Sequence, residues 1–199
     1  MRIPNSEHEA HAWRIDEVAP DFRLEDVWAV PAQGRAEDFA SFLEVMSSLD
    51  PAKGASCATR VLFAVRYRVG GWLGWDEVRT PLAIPDASDT TLSARLPADL
   101  RHSAGDVEVH AKDFVPLYRT DFESAAEISN RTVHAVLQFA WVEQGDGLYR
   151  AHMGVYVKPR GRLGDAYMAA IAPFRHLIVY PALMREIGRA WDARRDDEP

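Results

Sequence analysis

The 199-residue chain carries 23 Lys and Arg against 30 Asp and Glu, a formal charge of -7, and is 47% apolar and 27% charged. That balance excludes a disordered polymer and is enough for one substantial core. The acidic surplus argues against a nucleic-acid partner, and a single cysteine, Cys57, rules out an internal disulfide and fits a reducing, cytoplasmic setting.

Residues 1–19 read as a polar N-terminal extension, loosely ordered through Asp16 and without the apolar run of a signal peptide. His8 and His11 offer two metal ligands where a site needs a third. A single domain is expected over residues 20–192, with a polar tail at 193–199. Asp21 to Val30 has the aromatic and β-branched content of a first strand. Phe39, Phe42, Leu43, Met46 and Leu49 recur at helical spacing, so a helix is expected over 36–49, stopped by Asp50-Pro51. A second helix is expected from Cys57 to Val69, ended by Gly70-Gly71.

Ser56-Cys57-Ala58 reads as a small buried or capping step rather than a nucleophile. Arg60, Arg66, Arg68 and Arg79 read as solvated arginines rather than a nucleic-acid patch. Trp72 and Trp75 flank a glycine turn and pack under a loop, and Thr80 to Asp89 is a connection.

Strand signals then dominate. Thr91 to Leu96 alternates, and Asp106 to Tyr118 holds one or two strands. Phe122 to Ser129 is compatible with a strand or a helical turn. Arg131 to Val142 alternates throughout: Val133, Ala135, Leu137, Phe139 and Trp141 face one way, and His134, Val136, Gln138 and Ala140 the other. Gln144 to Gly147 is a turn, and Tyr149 to Lys158 returns to form a hairpin.

From Gly164 to Trp191 runs a long apolar helix, with Asp165 placed to cap it and Pro173 and Pro181 predicting bends or a break. Arg175 and His176 at its middle argue against a membrane span from Tyr167 to Met184. The plan is α+β: a curved antiparallel sheet gripping a long C-terminal helix, with room for a small apolar or amphipathic molecule between them.

Three stretches carry a resemblance: Glu127 to Trp141 (EISNRTVHAVLQFAW), Met153 to Pro159 (MGVYVKP) and Tyr167 to Met184 (YMAAIAPFRHLIVYPALM). With them the chain resembles the START-like and polyketide-cyclase-like helix-grip proteins (the SRPBCC group). More narrowly, it resembles a bacterial domain-of-unknown-function family, number 2867. The resemblance implies the fold and a cavity for apolar ligands. It implies no residue-level mechanism.

The candidate chemistry follows from residue type. His134 is placed to move a proton if its strand face borders a cavity, with Glu127 orienting it and Glu123 on the same side. Arg175 either holds a ligand carboxylate or fastens the helix through Glu127 or Asp165, and His176 points about 100 degrees away from it. Tyr118, Tyr156 and Tyr167 offer hydroxyls, and Asn130 an amide, to a cavity wall. No phosphate loop, metal cluster or ordered nucleophile–base–acid set stands out, so no cofactor and no metal are expected.

Three functions follow from these features. The first is a carrier of an apolar or amphipathic molecule between sheet and helix. The second is a cyclase- or dehydratase-like enzyme using His134 and Glu127, with Tyr118 or Arg175 stabilising negative charge. The third is a helper domain that docks an unspecified protein through Trp72 and Trp75.

Overall fold

The computed structural model describes residues 1–49, 91–101, 103, 114–129 and 132–197. Among the described residues, six strands form one sheet in the order β1-β2-β6-β5-β4-β3, every neighbouring pair antiparallel. They are β1 (Arg2–Ile3), β2 (Arg23–Gly34), β3 (Val115–Arg119), β4 (Glu123–Ser129), β5 (Val133–Gly145) and β6 (Leu148–Pro159). Among the described residues, three short α-helices precede β3: α1 (Asn5–Glu9), α2 (Ile15–Val18) and α3 (Phe39–Ser48). The C-terminal rod runs as α4 (Gly161–Phe174), a π-helical turn at Arg175–Val179, and α5 (Tyr180–Asp197). Register shifts in β2, between Leu24 and Asp26 and between Ala29 and Gln33, are bulges of the kind that bend a sheet.

The β5–β6 hairpin follows from its turn. Asp146 and Gly147 both have positive φ, 54° and 69°, as a two-residue turn of the type I′ class demands, and Asp and Gly tolerate that region best. Gly145 then faces Leu148 across the ladder. The period-two pattern sorts the two sheet faces as expected. Trp28, Val30, Trp141, Ala151 and Met153 pack with Phe39 and Phe42 of α3 and with Tyr180, Met184, Ile187 and Trp191 of α5. Val133, Val157 and Met168 continue that layer under α4. The opposite face carries Leu117, Tyr118, Ala125, Val136 and Tyr156, covered by Ile15, Val18, Phe22, Leu92, Leu96 and Leu100.

That cover corrects two expectations. Residues 1–16 are not a loose tail. β1 pairs with β2, the Met1 ammonium donates to the Ala29 carbonyl at 2.8 Å, and His8 and Ile15 are fully buried. Thr91–Leu96 is not a strand but a 3-10 turn at Leu92–Arg95, because the Thr91 hydroxyl accepts from Ser93 N and starts a helical turn. Phe122–Ser129 resolves as strand β4. Asp165 does not cap the last helix, which starts four residues earlier at Gly161 with no side-chain cap.

Between Pro173 and Pro181 the rod changes its hydrogen bonding. α4 gives way two residues after Pro173, and the Tyr180 amide bonds the Arg175 carbonyl five residues back. The expected helix at 57–69, Trp72, Trp75, Asn130, Cys57 and the 60–79 arginines lie outside the described residues. Among the described residues, no helix is long and apolar enough to cross a membrane.

Gly164 is where the rod meets the start of β5 and the end of β6. A Cβ there would overlap the Thr132 carbonyl oxygen and crowd Pro159. Gly164→Ala is therefore expected to lower stability by about 1–3 kcal/mol despite alanine's better helix propensity, measured by urea unfolding.

Candidate functional site: a buried carboxylate–imidazole pair

β4 and β5 carry their ionisable residues at even spacing, so Glu123, Ala125 and Glu127 share a face with His134, Val136 and Gln138. Glu127 sits opposite Val136 and His134 opposite Ser129, which makes Glu127 and His134 diagonal neighbours. Their contact is Glu127 Oε2 to His134 Nε2 at 2.7 Å, with both side chains almost wholly buried. The Thr91 hydroxyl donates to Glu127 Oε1, and the Leu92 amide donates to Oε2 at 3.2 Å.

Burial works against the charge of Glu127. The bonds from His134, Thr91 and Leu92 outweigh it and hold the carboxyl below its ordinary range. An ionised carboxylate accepts and cannot donate, so His134 Nε2 carries the hydrogen. In the neutral ring Nδ1 is then the lone-pair nitrogen, and it is buried with no partner among the described residues. The edge of Phe22 meets the imidazole at 4.9 Å between ring centres.

Four residues along β4, Glu123 is the hub of a second network. It accepts from the Arg14 amide at 2.7 Å, the Ile15 amide at 3.1 Å, Gln138 Nε2 at 2.7 Å and the Tyr118 hydroxyl at 2.5 Å. The Gln138 oxygen in turn meets His8 Nε2 at 2.8 Å. His8 stacks on Trp13, and its ring centre lies 5.8 Å from that of His152. Burial lowers both histidines to about 4, and for His152 the neighbouring His8 lowers it further. Burial and then the Glu123 charge push the Tyr118 hydroxyl well above its ordinary value, so it stays a donor.

Arg175 and His176 stand on the other face, with the rod. Asp26, fully buried on β2, takes His176 Nε2 at 2.6 Å and Arg175 at 3.1 Å, while Glu25 takes Arg175 at 3.5 Å. Arg2 reaches Asp26 from the edge at 3.3 Å. Arg175 is thus tied to Asp26 and Glu25, not to Glu127 or Asp165 as the sequence suggested. It is separated from His134 by the sheet, so the two do not converge. Adjacent positions on the rod both reach Asp26 because they diverge by only a quarter turn around a carboxylate with two oxygens.

Tyr156 belongs to the cluster of the His134 face and Tyr167 to the packing under α4. Between sheet and rod, Trp28, Trp141, Met153, Tyr180 and Trp191 pack in one cluster. Surface depressions of about 380 and 320 Å³ lie elsewhere, lined by α5 residues Ala182 to Arg189 and by residues 36–40 with 119–122. No three His, Cys, Asp or Glu among the described residues are grouped to hold a metal ion. Sequence reasoning passes over Thr91, His152 and Asp26 as site residues, weighs His8 only as a metal ligand and places Gln138 only on the strand face of His134. Asp26 has a visible signal, a polar group inside an apolar run, whereas nothing local marks Thr91.

A curved antiparallel sheet with a long C-terminal helix against one face, and buried ionisable residues on the other, defines a protein of the helix-grip arrangement. Over residues 18–182 the chain matches the family described as "Protein of unknown function (DUF2867)", and it belongs to that family. No curated protein and no solved structure matches it significantly.

Two outcomes follow from the electrostatics. His8 and His152 fold with pKa values depressed from 6.5 to about 4, so folding favours their neutral forms. Their contribution is intact above pH 6.5 and is lost as pH falls toward 4, at a cost on the order of 3 kcal/mol each. Urea unfolding across that window is expected to show a steep loss of stability, and His152→Gln a shallower one. Asp26→Asn is expected to cost about 3 kcal/mol by leaving Arg175 without its buried counter-charge, read in the same assay at pH 7.5.

Proposed function

We propose that the protein takes a small carbonyl compound with an apolar or ring-shaped body at the Glu127–His134 face and moves a proton on it. Proton removal next to a carbonyl is the opening step that lyase- and cyclase-type reactions share, and with return of the proton at the neighbouring atom it completes an isomerisation. The observation that supports this reading is the 2.7 Å pair itself, with Nδ1 of His134 left bare. His8 and His152 also have a bare Nδ1, but of these three rings it is His134 that has a carboxylate on its other nitrogen, the arrangement of an oriented general base.

In the proposed cycle, Nδ1 accepts a proton from carbon next to the carbonyl. Glu127 stabilises the imidazolium so formed, and the same nitrogen returns the proton at the neighbouring atom. Thr91 and the Leu92 amide hold Glu127 while the charge forms. Arg175 takes no part from the far face, and the Tyr118 proton is engaged by Glu123. Entry requires that the cover made by Phe22 and the Leu92–Leu100 segment yield, since it closes over this face.

A second reading has its own observation. His134 and Glu127 are 1% and 0% exposed, as expected of a pair that fastens the Thr91–Leu92 turn to the sheet. Deuterium wash-in separates the two without knowledge of the natural substrate. The protein in heavy water is mixed with a panel of cyclic and open-chain 1,3-dicarbonyls, and exchange at carbon is followed by NMR. The enzyme reading predicts exchange well above buffer for at least one compound. It further predicts loss with His134→Gln and a drop of about 100-fold with Glu127→Gln. No exchange across the panel, with both variants merely less stable, favours the fastener and contradicts the enzyme.

A further inference from the structure

The face that carries Glu123 and Glu127 also holds two buried histidines from distant parts of the chain. His8 comes from α1. His152 comes from β6, opposite Ala140 in the ladder and so on the same side as Gln138 and His134. The two are 0% and 1% exposed, and their ring centres lie 5.8 Å apart with the planes inclined by 38°. Each has a buried Nδ1 with no hydrogen-bond partner among the described residues, so these two nitrogens do not bond each other. The proton transfer proposed for His134 uses neither ring.

The tautomer of His8 is set by its neighbours. The Gln138 amide nitrogen donates to the Glu123 carboxylate at 2.7 Å, which turns the amide oxygen toward His8 Nε2 at 2.8 Å. That oxygen only accepts, so Nε2 carries the hydrogen and Nδ1 of the neutral ring offers a lone pair. A ring that donates its far N–H to an oxygen, itself fixed by a carboxylate, has the outer support of a metal-bound imidazole. The wall beside it is aromatic: Trp13 stacks on His8 at 5.0 Å and the Tyr156 ring centre lies 6.4 Å away.

The number of donors decides which ion fits. Zinc takes four ligands, and no three His, Cys, Asp or Glu among the described residues are grouped to supply them. A soft monovalent ion with a filled d shell, copper(I) or silver(I), is satisfied by two nitrogens in a line. With metal–nitrogen bonds of about 2 Å and ring nitrogens about 1 Å from the ring centre, two such imidazoles stand about 6 Å apart, centre to centre. The observed separation is 5.8 Å. We propose that Nδ1 of His8 and Nδ1 of His152 together bind one copper(I) ion. The Glu123 carboxylate, one side chain away through Gln138, answers its single positive charge. The ion ties α1 to the sheet at β6.

The test uses the full chain with Cys57→Ser, so that the thiol does not compete. Silver(I) is titrated in air, and copper(I) is offered under ascorbate against a chromogenic chelator. One equivalent of either ion is expected to bind per chain, and zinc(II) is not expected to displace it. Nitrogen-15 NMR is expected to show the Nδ1 resonances of both His8 and His152 moving with silver(I), while those of His134 stay. The unfolding midpoint is expected to rise, because the ion joins two distant segments of the folded chain only. His8→Gln and His152→Gln are each expected to lose the bound equivalent.

X-ray absorption of the copper(I) complex reads the ligand set without either histidine variant, and so decides the matter even if those variants unfold. Two nitrogen donors and no sulfur are expected. The inference is overturned by a chain that binds neither ion, by sulfur in the copper shell, or by NMR shifts confined to one of the two rings. It is also overturned by a folded His152→Gln variant that binds as tightly as its parent, or by an unfolding midpoint indifferent to silver(I). None of these outcomes bears on the exchange chemistry of His134.

Discussion

The constraint on which the rest of this structure depends is that buried carboxylates must find donors. Glu123, Glu127 and Asp26 are all at or below 2% exposed, and an isolated carboxylate in such a place would cost several kcal/mol. Each is met by groups from distant parts of the chain. Glu123 draws in the start of α2, Glu127 draws in the turn at Thr91, and Asp26 draws in the π-turn of the rod. The sheet supplies apolar area, but these acids fix where the covering segments lie on it.

Sorting by face follows from the same alternation. The rod takes the aromatic face, where Trp28, Trp141 and Trp191 fill the layer. The polar network takes the other, under a cover whose elements are short and whose polar contacts converge on Glu123, Glu127 and Gln138. Two elements of that cover, α2 and the 3-10 turn at Leu92–Arg95, are four residues each.

Much of this was legible in the sequence. The two-residue period of β5 and β6, the Asp146-Gly147 turn and the stripe of the rod are local patterns, and they give strands, hairpin and helix without reference to anything distant. The meeting of Glu127 with His134 was half legible: both belong to stretches that share one side, yet the register that makes them diagonal neighbours is a property of the β4–β5 pairing. The polar composition of the N-terminal segment hides the few residues that matter. His8 and Ile15 are buried by partners more than 100 positions away, Gln138 and Glu123. Thr91–Leu96 was misread because a hydroxyl cap outweighed an alternating pattern only six residues long. The tie of Arg175 to Asp26 spans 149 positions and is set by sheet order.

The central claim is that an ionised Glu127 fixes the tautomer of His134 and leaves Nδ1 as its basic nitrogen. Nitrogen-15 NMR of the His134 ring at pH 7.5 reads this directly. The account predicts a protonated, pyrrole-like Nε2 and an unprotonated, pyridine-like Nδ1, with Glu127→Gln erasing that preference. The opposite tautomer, or a ring indifferent to Glu127→Gln, would contradict it.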